Sequence, residues 1–184
     1  WHMPAHMANA YYSPDSNTIV FPAAILQAPF YSLEQSSSQN YGGIGAVIAH
    51  EISHAFDNNG AQFDKEGNLN KWWLDKDYEA FEEKQKEMIA LFDGVETEAG
   101  PANGKLIVSE NIADQGGITA ALTAAKDEKD VDLKAFFSQW AKIWRMKASK
   151  EFQQMLLSMD VHAPAKLRAN IPPTNLEEFY ETFD

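Results

Sequence analysis

Two histidines and a glutamate fall in one short run, His50-Glu51-Ile52-Ser53-His54, the pattern H-E-x-x-H. Side chains four apart share one face of a helix. The two imidazoles can therefore grip one metal ion, with Glu51 left beside a water at that ion. The chemistry this implies is metal-assisted hydrolysis. Composition alone would give such a run in about 1 chain in 100 of this make-up, so the motif needs support from a third protein ligand. A catalytic zinc takes three protein ligands and leaves its fourth position to water.

Glu110-Asn111-Ile112-Ala113-Asp114 supplies the candidate. It sets two carboxylates four apart on a second predicted helix. If that helix crosses the first, Glu110 joins His50 and His54 in a two-His, one-carboxylate set for one Zn2+ per chain. Asp114, one turn on, could bond the free ring nitrogen of a ligand histidine, and Asp57, three after His54, could do the same there. An E-x-x-x-D pair alone is more often an exposed helix face; coupled to H-E-x-x-H, the balance reverses. Glu51, not needed as a ligand, can take the water's proton and pass it to the leaving amine. The oxyanion that forms needs donors besides the metal. His162 is a candidate for that, and Arg168 could hold a substrate carbonyl, although a lone surface His or Arg is usually only that. A strand at Asn9, if it forms a sheet edge, could take a peptide by strand addition.

These residues need elements to carry them. Asn9-Ala10-Tyr11-Tyr12 and Thr18-Ile19-Val20-Phe21 read as two strands joined by the turn Ser13-Pro14-Asp15-Ser16-Asn17, and Pro22 ends the pairing. Residues 23–40 read as an irregular packed connection. Gly42, Gly43 and Gly45 lack phosphate-loop spacing and suit a helix packed closely on a sheet; the motif helix runs from there to Phe56. Asp57-Asn58-Asn59-Gly60 ends it, with Gly60 suited to positive φ. Asp64-Lys65-Glu66-Gly67-Asn68 is a turn without the calcium-loop order.

An amphipathic helix is predicted over 75–93, with Leu74, Tyr78, Phe81, Met88 and Phe92 as its apolar face and a Glu82–Lys86 pair. A short extended stretch over 105–108 precedes a helix from Glu110 to Lys126 with Ser109 as N-cap. Asp132 caps a helix through Phe136, Trp140 and Trp144, and Lys150 to Met159 is helical. Thr174 with Glu177 reads as a capping box for a last short helix. The fold class is α+β, mainly helical, with a small N-terminal β-hairpin.

The 184-residue chain is 45% apolar, enough for a sizeable core. Its formal charge of −12 argues against nucleic acid as a partner. No apolar run is long enough to cross a bilayer. The absence of cysteine excludes disulfides and thiol catalysis and leans towards a reducing compartment or a bacterial protein. The opening Trp1-His2-Met3-Pro4 is not an initiation context, so we read residues 1–184 as a piece of a longer protein.

Met7 through Tyr12, Phe21 through Gln27, Asn40 through Asp57, Glu110 through Asp114, and Asp160-Val161-His162 with Arg168 resemble, in order, signatures of the neprilysin-like zinc endopeptidases, in particular the bacterial oligoendopeptidases. The resemblance covers nearly the whole chain. It implies a thermolysin-like catalytic fold with residues 1–184 as its C-terminal catalytic portion. It implies zinc on His50, His54 and Glu110, with Glu51 as catalytic base. Asp57 and Asp114 orient the histidines, and Asp114 is also counted among the catalytic residues, although its place behind a ligand speaks against proton donation. His162 stabilises the transition state, Arg168 grips the peptide backbone, and Asn9 and Ala10 bind the substrate main chain. An apolar S1′ pocket would fall on Ile25, Phe30, Ala46, Val47, Ile143 and Trp144, for which ordinary core is the plain alternative.

In the family a long N-terminal segment with a helical lid closes a chamber that limits substrates to small peptides. That lid would contact this piece. The missing cysteines fit a bacterial, cytoplasmic enzyme, with a cell-surface parent left open. A metzincin would need Gly at 57 and His at 60, and an aminopeptidase of the glutamate-ligand type a Gly-x-Met-Glu-Asn strand; neither is present. The remaining alternative is a catalytically silent peptide-binding module with the same fold.

Overall fold

The computed structural model describes residues 2–184. Two short strands, β1 (Tyr11–Ser13) and β2 (Thr18–Val20), form an antiparallel hairpin with Tyr11 opposite Val20. Asn17 turns the chain with φ of 47°, a left-handed conformation Asn tolerates well. Helices make up most of the rest, and the fold is mainly helical as the sequence predicts.

The motif helix starts earlier than its glycines suggest. The Ser/Gln-rich end of the predicted connection is already helical, α1 (Ser37–Asn40). Ser36 caps it through Gln39 N, and the Gln39 side chain reaches back to Ser36 N, a capping box legible in the sequence and passed over. The helix continues through a π-turn at Tyr41–Gly45, α2 (Ala46–Ser53) and a 3-10 turn at His54–Phe56. The glycines do allow close packing, but against a helix and not a sheet. A Cβ on Gly42 would strike the Phe136 carbonyl of α5 (Leu133–Ile143).

Helix α3 (Asp75–Phe92) buries Phe92 but leaves Leu74 largely exposed at its N-cap. Its ion pairs are Lys86–Glu83 at 2.6 Å and Lys84–Glu87 at 2.9 Å; the Glu82–Lys86 pair does not form. A small hairpin, β3 (Glu96–Thr97) with β4 (Gly100–Pro101), occupies the loop that follows. Helix α4 (Val108–Lys126) begins at Val108 after a turn, where an extended stretch was expected. Ser109 is therefore inside the first turn and is no N-cap.

Asp132 caps α5 through Ala135 N as predicted, and Ser149 caps α6 (Lys150–Met159). Helix α7 (Ala165–Asn170) carries Arg168. The last helix, α8 (Glu177–Phe183), has Leu176 at its N-cap; Thr174 spends its hydroxyl on the Ile171 carbonyl, so the predicted capping box is absent.

The main core gathers Ile25, Ile44, Val47, Ile118, Leu122, Phe136 and Trp140 between α2, α4 and α5. A second cluster joins Phe92, Ile107 and Leu167. The approach of α2 to α4 positions the site. Ala46 and Ala113 are fully buried there, and a Cβ on Gly117 would lie 2.8 Å from the Ala46 carbonyl oxygen and 2.8 Å from His50 N. Only small residues permit two helices so close, and their proximity lets short-armed ligands from each reach one point.

Candidate metal centre

His50, in α2, and His54, in the 3-10 turn that continues it, sit near the end of the motif helix on the face turned to α4. Each ring is anchored through Nδ1: His50 to Asp114 Oδ1 at 2.8 Å, His54 to Asp57 Oδ2 at 2.7 Å. Those carboxylates accept, so in the neutral ring the proton is on Nδ1 and Nε2 keeps the lone pair a metal would take. The two Nε2 atoms lie 3.0 Å apart. Glu110, in the first turn of α4, sets Oε2 3.2 Å from His50 Nε2 and 3.4 Å from His54 Nε2.

Lone pairs and a carboxylate oxygen thus meet at one point. Glu110 Oε2 is buried and accepts no hydrogen bond. Ligand bonds of about 2.0–2.1 Å arranged tetrahedrally would separate donor atoms by about 3.3 Å, close to the spacings found. Zinc fits this donor set. Glu51 also offers an oxygen within 4.8 Å of the rings, but Glu110 is nearer to both.

The electrostatics agree. Burial alone would depress His54, but the hydrogen bond to Asp57 and the Glu110 carboxylate push it up to about 10. Burial works against ionisation of Glu110, yet His162, His50 and His54 hold it far below the usual carboxylate range. Burial raises Glu51, partly offset by the histidines. A site rich in buried carboxylates draws positive charge, whether protons or a dication.

Asp114 is almost wholly buried; burial opposes its charge, but Arg168 and His50 hold it at about 2. Arg168 grips it with two donors, Nε to Oδ2 and Nη2 to Oδ1, both 2.7 Å. The guanidinium also lies 3.6 Å over the Trp144 ring. His162, on the turn before α7, holds Asp160 Oδ1 through Nδ1 at 2.7 Å and turns Nε2 to within 3.2 Å of Glu110 Oε2.

A cavity of about 390 Å³ opens on this cluster. His50, Glu51, His54, Asp57, Glu110, His162 and Arg168 line it, with Asn9, Ala10, Ile25, Phe30, Val47 and Trp144. Three predicted site residues stand elsewhere. Asp114 lies behind His50, off the cavity wall. Ala46 is in the core, held by the α2–α4 contact. Ile143 lines a neighbouring cavity between α5 and α6. The resemblance set Ala46 beside Val47 in the pocket without telling which side of the helix faces the opening.

Sequence reasoning missed two positioning groups. Asp160 holds the His162 ring, and its i,i+2 spacing was the available signal. Ser109 Oγ donates to Asp57 Oδ2 at 2.6 Å. Gly60 also has another purpose than expected: its φ is not positive, but a Cβ there would overlap the His54 carbonyl. Its N–H and that of Asn59 donate to Asp57 Oδ1, at 2.8 and 2.7 Å.

Fold and site together define an H-E-x-x-H metallopeptidase arrangement. The model of peptidase family M13 matches residues 9–184, and the chain belongs to that family. It is 98% identical over all 184 residues to a neutral endopeptidase of Lactococcus lactis subsp. lactis, covering 29% of that protein. It is 47% identical to a neutral endopeptidase of Lactobacillus helveticus, covering 28%. Among solved structures, the crystal structure of PEPO from Lactobacillus rhamnosis superposes with a TM-score of 0.95 at 50% identity, over the whole chain and 29% of that one. A zinc metalloprotease of Mycobacterium tuberculosis in complex with an inhibitor gives 0.95 at 37%, over the whole chain and 31% of its own. The chain thus spans under a third of the length of these relatives. Among the described residues, no helix is long and apolar enough to cross a membrane.

Proposed function

We propose that the chain is the catalytic portion of a zinc endopeptidase that cleaves small peptides. The convergence of His50 Nε2, His54 Nε2 and Glu110 Oε2 within 3.0–3.4 Å, with both Nδ1 atoms tied to carboxylates, carries this reading. His50, His54 and Glu110 would hold one zinc; when bound, the ion supplies Lewis acidity and lowers the pKa of water.

Glu51 faces the cavity beside the ligands and is free of that duty. Burial raises its pKa, which brings a carboxylate nearer the range where it can accept a proton and return it to the leaving amine. Asp160 fixes His162 through Nδ1, so a protonated ring presents Nε2–H to the oxyanion. Arg168, held flat by Asp114 and Trp144, keeps Nη1 free for a substrate carbonyl. Strand β1 pairs only with β2 among the described residues, and Asn9 and Ala10 lead into its open edge along the cavity. A peptide laid there gains main-chain hydrogen bonds. Ile25, Phe30, Val47 and Trp144 make the apolar wall that would favour an apolar P1′ side chain. The exposed stripe Ile48, Ile52 and Phe56, along α2 and the 3-10 turn after it, is surface for the remainder of a longer polypeptide to cover.

Glu51→Gln in the full-length polypeptide tests the reading. It should lower peptide hydrolysis by about 10²–10⁴-fold with one zinc per chain retained by metal analysis. Undiminished turnover would remove Glu51 as base. Zinc uptake with no hydrolysis by the unmodified polypeptide would turn the reading to a silent peptide-binding module.

A further inference from the structure

We propose that Ser109 is a positioning residue of the metal centre, acting through Asp57 on His54. The proposal rests on the zinc reading above. Asp57 accepts four hydrogen bonds: two backbone N–H groups on Oδ1, and His54 Nδ1 with the Ser109 hydroxyl on Oδ2. Three of those donors belong to the segment that ends the motif helix. Ser109 alone comes from α4, and it is the residue next to Glu110. Its hydroxyl therefore ties the turn bearing the third ligand to the carboxylate that aims the second.

The hydroxyl has one proton and its direction is set. Asn59 Nδ2 donates to Ser109 Oγ at 3.1 Å, which leaves the Ser109 proton to Asp57, 2.6 Å away. A capping role is excluded, because Ser109 lies inside the first turn and its hydroxyl crosses to another element. Helix α4 has a second strap to the histidines, Asp114 on His50. The two straps are five residues apart, Ser109 just before Glu110 and Asp114 about one turn after it, and together they fix rotation of α4 about its axis. Without the hydroxyl, Asp57 loses a donor on the oxygen that holds His54, and the ring gains freedom at the point where ligand aim matters.

Zinc affinity, measured by competition with a chelator in the full-length polypeptide, tests this. Ser109→Ala should weaken zinc about tenfold, the lower end of what groups behind a ligand cost. Ser109→Thr, which keeps the hydroxyl, should stay within about threefold of the parent. In an Asp57→Asn background, Ser109→Ala should cost less than about twofold, because the path is already cut. Unchanged affinity in Ser109→Ala, or an equal loss in both backgrounds, overturns the proposal. So does a raised KM at unchanged zinc affinity, which would make Ser109 a substrate contact. A parent that binds no zinc overturns the metal reading and this proposal together; a parent that binds it, with an indifferent Ser109→Ala, overturns this proposal alone.

Discussion

His54 illustrates how one residue is set by its neighbours. Asp57 and Glu110 push its pKa up to about 10 against the effect of burial. In the metal-free protein the ring therefore carries protons on both nitrogens at neutral pH, and a ligand imidazole must be neutral. Each zinc bound then releases protons, and acid opposes binding. We expect zinc affinity by chelator competition to rise steadily from pH 6 to pH 8. A flat profile would contradict the proposed proton linkage. Asp114 shows the same economy: both oxygens are taken, by His50 and Arg168. It is buried and off the cavity wall, a place suited to holding its partners.

At the scale of elements, the α2–α4 contact decides whether the ligands meet. Gly→Ala in an exposed helix interior usually stabilises by about 1 kcal/mol. At Gly117 the sign should reverse, because the added methyl would meet the Ala46 carbonyl and His50 N at 2.8 Å. We expect Gly117→Ala to destabilise by about 1–3 kcal/mol, the usual cost of overpacking, and to weaken zinc as α4 moves off α2. Denaturant unfolding and chelator competition check the two effects. A stabilised variant with normal zinc affinity would show that the helices have room to spare.

For the molecule as a whole, the metal centre joins distant parts of the chain. Its candidate ligands come from the motif helix and α4, and their supports from the loop after the motif helix, the turn at Asp160 and α7. A ligand bound only by the folded form stabilises it by about 4 kcal/mol at a thousandfold excess over Kd. Chelation should therefore lower the melting temperature cooperatively, and added zinc should restore it. Melting that is indifferent to chelator would mean that the residues do not bind zinc in the folded state. The relatives that this chain matches are more than three times as long.

The amino-acid sequence by itself determined the local facts. His50 and His54 share a helix face because 3.6 residues make a turn, Asp57 falls within reach of His54 for the same reason, and Asp132 starts a helix through its own side chain. The N-terminal hairpin and the long amphipathic helices follow from patterning with short-range physics. The tertiary structure alone decided which distant groups touch. Ser109 looks like a cap and becomes a strap; Arg168 looks like a surface cation and is locked behind Asp114 and Trp144; Ala46 looks like pocket and is core. Periodicity fixes the direction of a side chain relative to its own helix axis. It does not fix where a second helix lies, because that depends on the summed fit of many small contacts, such as those at Ala46, Ala113 and Gly117.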